Sequence, residues 1–176
     1  MLLYLLDALE AINHFFDSGG PVLYLIALLT FVMWTLMLER FWYYYGGYRH
    51  DAQQVIDTWE ARSERQSWAA HAIRDKLISE TRIKIDQNLS LIKTMIAICP
   101  LFGLLGTVTG MIDVFSILSI TGGADAKSMA GGVSRATIPT MAGMVAALSG
   151  VFANIYISQK ASRERKLIEE HLTMDH

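Results

Sequence analysis

The chain has 176 residues, of which 52% are apolar and only 18% charged, with a mean hydropathy of +0.31. That balance excludes an ordinary soluble domain and places the chain in a bilayer. A formal net charge of -2 without a basic face excludes nucleic acid as the main partner, and a lone cysteine, Cys99, excludes an intrachain disulfide.

Residues 1–20 contain no Lys or Arg, and Asp7, Glu10 and Asp17 interrupt their apolar positions, so the segment does not read as a cleaved signal. Leu2, Leu5, Leu6, Leu9, Ile12 and Phe16 recur at helical spacing opposite Asp7, Glu10, Asn13 and Asp17. This fits a short helix lying in the outer interface, closed by Ser18, Gly19, Gly20 and Pro21; a frayed extension of the first span fits it as well.

Three stretches are long and apolar enough to span. Residues 21–38 carry no charge, 95–120 carry only Asp113, and 133–157 carry only Arg135. A hydrocarbon core of about 30 Å needs roughly 20 helical residues, so transmembrane helices are predicted over 21–40, 95–120 and 133–157. Basic residues crowd the segment 40–93 and the tail after 157, whereas 1–20 has none. Positive charge is retained in the cytoplasm, so the N-terminus is expected outside, with 41–94 and the tail 158–176 inside and a periplasmic loop over 121–132. Phe41, Trp42, Tyr43, Tyr44 and Tyr45 mark the inner boundary of the first span. Charged and apolar residues alternate at three and four spacing through 49–93, which predicts amphipathic helices. With no Gly or Pro between Trp68 and Cys99, the helix of the second span is expected to begin well inside the cytoplasm. The fold class expected is thus an all-α membrane protein with three transmembrane helices and helical cytoplasmic extensions.

His14, His50, His71, His171 and His176 are scattered without metal-ligand spacing, and no nucleophile–base pair or phosphate loop stands out. Neither an enzyme nor a metal or cofactor site is expected. Three spans without an inverted repeat or a broken helix cannot by themselves build a transporter's midplane site.

The two later spans carry small residues at regular spacing: Gly103, Gly106 and Gly110 in one, Ala142, Ala146 and Gly150 in the other. Lipid provides no hydrophobic drive for helix association, so such faces serve close helix packing. Hydroxyls dot the same spans. Thr107 interrupts an apolar stripe, and Thr137, Thr140 and Asn154 fall within one broad face of the third. Such a face can line a narrow, partly wetted ion path, or its threonines can simply bond carbonyls one turn back. If Thr107 and Thr140 lie at equal depth in an antiparallel pair, Asp113 and Arg135 stand roughly 9 Å and 7.5 Å further along, nearly level. They can then form an ion pair, within or between subunits, or be solvated separately in an outer vestibule.

The string CPLFGLLGTVTGM at 99–111 closely resembles the second-span signature of the MotA/TolQ/ExbB family, and GVSRATIPTMAGMVAA at 132–147 its third-span signature. Glu39 and Arg40 closing the first span match as well, and the similarity is strongest to the ExbB branch of TonB systems. The resemblance implies a bacterial inner-membrane homopentamer whose second and third helices surround an ExbD-type single-span partner. It further implies that proton passage is coupled to movement that, through a TonB-type protein, energises outer-membrane transport. A TolQ-like role in envelope integrity, or a non-conducting scaffold for a single-span protein, is the alternative. Thr107 and Thr140 correspond to the family's lumen threonines, with the proton-carrying carboxylate on the partner. Where many ExbB members have a glutamate, this chain has Arg135, and the later third-span proline is replaced near Ser149. Pro139 removes a backbone donor beside Thr140 and frees a carbonyl one turn earlier, a potential local partner for that hydroxyl.

Overall fold

The computed structural model describes residues 2–61, 67–121 and 126–172. Among the described residues five α-helices follow in chain order: α1 Leu2–Trp42, α2 Tyr48–Glu60, α3 Trp68–Asp86, α4 Leu89–Thr121 and α5 Ala126–His171, with a π-helical turn, Tyr43–Gly47, between α1 and α2. No strand occurs among the described residues. Among the described residues three helical stretches are long and apolar enough to cross a membrane, and large apolar side chains stand exposed along them, Phe31 and Phe152 at 71% each. A soluble monomer does not present such a surface. The chain is an all-α, multi-pass membrane protein.

Several boundaries differ from the sequence expectation. The connection expected over 121–132 is shorter, because α5 already begins at Ala126; residues 122–125 lie outside the described residues, as does His176. The long helix expected to lead into the second span is broken at Gln87 and Asn88. Gln87 leaves helical geometry and Asn88 takes φ 64° before α4 starts at Leu89. Asparagine needs no glycine's help to reach the left-handed region, so a search for Gly and Pro alone misses this break. At the other end of the molecule's sequence, α1 is helical on both sides of Gly20, whose φ of 67° and ψ of -169° bend it directly before Pro21. No atom lies within 4 Å of a Cβ built on Gly20, so the glycine serves backbone conformation and not packing.

The chain forms two compact units, one from 1–33 with 94–151, the other from 34–93 with 152–176. The first is centred on Val22, Ile26, Cys99, Ala146 and Ala147, all buried, with Leu29 and Phe102 packed against them. Cys99 is fully enclosed there, a small side chain at a close helix approach.

The second unit is held by polar contacts of a specific kind. A helix ends with carbonyls that have no partner in the helix itself. At the end of α3, Arg40 donates to the carbonyl of Lys84 at 3.2 Å and the Tyr44 hydroxyl to that of Ile85 at 2.8 Å. Near the end of α5, Arg74 donates to the carbonyl of Leu172 at 2.6 Å. Arg40 is only 3% exposed. Its guanidinium grips both carboxylate oxygens of Glu39, at 2.9 and 3.1 Å, and lies 5.2 Å from the centre of the Tyr43 ring. Ion pairs Arg165–Asp86, Lys84–Asp51 and Arg82–Glu169 join its helices further. The Tyr43 hydroxyl donates to the Asp51 carboxylate at 3.1 Å. Ser67 caps α3 by accepting from the backbone N–H of Ala70 at 3.3 Å.

Candidate functional site

Within the first unit α4 and α5 run antiparallel at backbone contact, and the glycines allow it. A Cβ built on Gly103 would lie 2.9 Å from the Thr140 Cα and 3.0 Å from the Pro139 carbonyl oxygen. One on Gly143 would lie 2.6 Å from the Cys99 carbonyl oxygen, one on Gly110 2.9 Å from the Ala136 Cβ, and one on Gly106 would overlap the Pro139 ring. Further along, a Cβ on Gly132 would meet Val114 at 2.5 Å. The seam therefore pairs Cys99, Gly103, Gly106, Gly110 and Val114 of α4 with Gly143, Thr140, Pro139, Ala136 and Gly132 of α5. Such an approach gains dispersion contacts that side chains would prevent.

The α5 small residues read from the sequence as a packing stripe lie along this same part of the helix. Ala146 is buried in the core cluster, and Gly150 faces Met33 and Ile96, where a Cβ would come within 2.8 Å of the Met33 sulfur. Ala142 is half-buried and lies beside the seam. Gly132, Ala136, Pro139 and Gly143 recur at three and four spacing, a signal visible in the sequence once Pro139 is counted as able to fill a glycine hollow.

Thr140 is where the two helices exchange a hydrogen bond. Its hydroxyl donates to the carbonyl of Gly103 on α4 at 2.8 Å. This corrects the expected local partner: the carbonyl that Thr140 finds is across the helix pair, not one turn back beside Pro139. The Gly103 carbonyl is also the one that a regular helix pairs with the N–H of Thr107. Thr140 thereby stands beside Gly103, about one helical turn before Thr107 along α4. Thr107 donates its own hydroxyl to the Leu104 carbonyl at 2.6 Å, and Thr137 to that of Ser134 at 2.8 Å. All three hydroxyls spend their proton on backbone, so toward any other group they act only as acceptors. Asn154 belongs to the second unit, half-buried, and accepts from Ser158 at 3.4 Å.

Asp113 and Arg135 are both exposed and line one cavity of about 240 Å³. No ion pair joins them among the described residues. Asp17, Ser18, Pro21 and Val22 of α1 close the same cavity, together with Thr109 and Gly110. Thr107, Thr137 and Thr140 are not among its lining residues. The charges thus sit apart from the threonines, on the flank of the pair that faces α1. Asp17 is the member that sequence reading did not connect to this group, since nothing in its spacing reveals that the bend at Gly20 turns it toward α4 and α5.

Residues 49–170 match the model of the MotA/TolQ/ExbB proton channel family. The ExbB-like 1 protein of Synechocystis sp. is 32% identical over 165 residues, covering 76% of this chain and 65% of that protein. The biopolymer transport protein ExbB of Xanthomonas campestris pv. campestris (strain B100) is 33% identical over 95 residues, 54% of this chain and 37% of the relative. That of Helicobacter pylori is 32% identical over 76 residues, 43% and 52% of the two chains. In each case the match spans less than two thirds of the relative's own length. With a family match across more than half its residues, on the helices that build the glycine seam, the chain belongs to the MotA/TolQ/ExbB proton channel family, its similarity running to the ExbB members.

Proposed function

We propose that the chain is an ExbB-like subunit of a proton-driven inner-membrane motor, assembled as a pentamer with its N-terminus periplasmic. It would work with ExbD-type and TonB-type partners to energise outer-membrane transport. The observation that carries this reading is the bond from Thr140 to the Gly103 carbonyl. It holds the Thr140 hydroxyl against α4 about one helical turn from Thr107, on an otherwise apolar helix pair, and the lone pairs of both hydroxyls are left to accept. Threonine does not titrate, so this subunit houses the proton and does not carry it. A protonated carboxylic acid on a partner helix, or a water beside it, is the donor that such a face complements.

The test is reconstitution of the complex in liposomes with an ExbD-type single-span protein, reading proton flux with an internal pH dye. The pair Thr107→Val and Thr140→Val should lower flux at least about tenfold, about 1.4 kcal/mol in the barrier, while the mass of the complex stays unchanged. Full flux from that double variant would remove the threonines from the path. A Tol-like protein retained in place of a TonB-like one would move the chain to the TolQ branch, and a complex that never conducts would make it a scaffold.

A further inference from the structure

The cavity at the bend of α1 has a composition that the proton path does not use. Its wall carries Asp17, Asp113 and Arg135, two carboxylates and one guanidinium, set among Pro21, Val22, Val114 and Ile117. It holds about 240 Å³, and its charged members are exposed and unpaired with one another among the described residues. Gly20, by its left-handed φ, brings the residues on both of its sides to the rim. On α1 beyond Gly20, Tyr24, Leu25, Leu28 and Phe31 are exposed, an apolar track continuing from the cavity into the first span.

We infer that this cavity binds the headgroup of a zwitterionic phospholipid whose amine is a primary ammonium, with the phosphate toward Arg135 and the ammonium toward Asp113 and Asp17. Three features select this occupant. The guanidinium presents a planar fork of N–H donors matched to phosphate oxygens. The carboxylates accept N–H bonds, which a primary ammonium donates and a quaternary one cannot. The lining charges sum to one negative, which disfavours a headgroup that is anionic overall. Acyl chains lying on the exposed track of α1 would follow the headgroup into the bilayer. Asp113 and Arg135, costly at the end of an apolar span, then gain partners that the chain itself does not provide.

The purified complex, exchanged into mixed micelles holding phosphatidylethanolamine, phosphatidylcholine and phosphatidylglycerol with identical acyl chains, provides the test by native mass spectrometry. Phosphatidylethanolamine should be retained about tenfold over either competitor, a difference of about 1.4 kcal/mol. Asp113→Asn and Arg135→Gln should each bring the three lipids to parity, and Asp17→Asn should reduce the preference. Soluble glycerophosphoethanolamine should compete for the site where inorganic phosphate at equal concentration does not. Parity in the unaltered protein, a preference for the anionic lipid, or a preference untouched by both variants would overturn the assignment. So would equal competition by phosphate. Because Thr107→Val leaves this flank intact, that variant should keep the lipid preference even if it loses proton flux, which separates failure of this site from failure of the path.

Discussion

The two units of this protein solve the same problem, the joining of helices, by opposite means. In the first, among the described residues no ion pair is found, and α4 and α5 meet through Gly103, Gly106, Gly110, Gly132 and Gly143 at distances a methyl group would violate. In the second, Arg40, Arg74, Arg82, Lys84 and Arg165 reach from one helix to the carbonyls or carboxylates of another. Surrounded by lipid, charges are expensive and close backbone contact is the available gain; at water's edge, charges are cheap and unpaired helix ends need partners. The side-chain hydrogen bond across the glycine seam, from Thr140 to Gly103, stands out against that division. It falls on a threonine for which a place in the proton path is proposed.

The contrast is broken most severely at Gly143. Alanine there places a Cβ 2.6 Å from the Cys99 carbonyl and 3.1 Å from the Gly103 Cα, backbone atoms that cannot swing away. A loss of about 3 kcal/mol is expected, read as a lower midpoint in thermal unfolding of the detergent-solubilised protein. Gly131→Ala on the same helix is the control. Nothing lies within 4 Å of a Cβ there, so the change should be neutral or add up to about 1 kcal/mol from helix propensity. If both alanines behave alike, backbone proximity is not what holds the first unit.

A smaller effect is expected where the second unit depends on charge. Arg40→Leu removes the donor to Lys84 and the partner of Glu39, and it leaves a carbonyl at the end of α3 unsatisfied. Glu39 is half exposed and can turn to water, so the loss should be about 2 kcal/mol, below that of a fully enclosed pair. Faster proteolysis within α3, with the spans still protected, is the expected sign. Equal protection of α3 in the variant would make Arg40 a passenger.

The smallest effect is expected at Tyr44. Tyr44→Phe keeps the ring and loses only the hydrogen bond to the Ile85 carbonyl near the end of α3, so stability should fall by about 1 kcal/mol, read in thermal unfolding of the detergent-solubilised protein. An unchanged unfolding midpoint in that variant would take Tyr44 out of the α3 joint.

Much of this architecture is written in one dimension. Apolar runs at 21–38, 95–120 and 133–157 require spanning helices whatever else the chain does, since the bilayer thickness sets their length. The glycine spacing of 103, 106 and 110 announces a packing face, and the strings at 99–111 and 132–147 carry the family. Other features are illegible there. Ala142 looks as suitable as Gly143 for the seam until the helix rotation is known. The break at Asn88 has no Gly or Pro to mark it, and the partners of Arg40 and Tyr44 lie 44 and 41 residues away.

Composition and periodicity alone thus determine that the protein is a membrane helix bundle, because hydropathy and helical spacing are local properties that no tertiary contact can reverse. Only the folded chain decides which flank of each helix meets which neighbour. At about 100° per residue Asp113 stands roughly 120° around its helix from Thr107 and Arg135 roughly 140° from Thr140, and the rotation of each helix decides which of them meets the seam and which meets α1. That rotation places Thr140 on the Gly103 carbonyl, and it sets Asp113 and Arg135 with Asp17 around a cavity of their own.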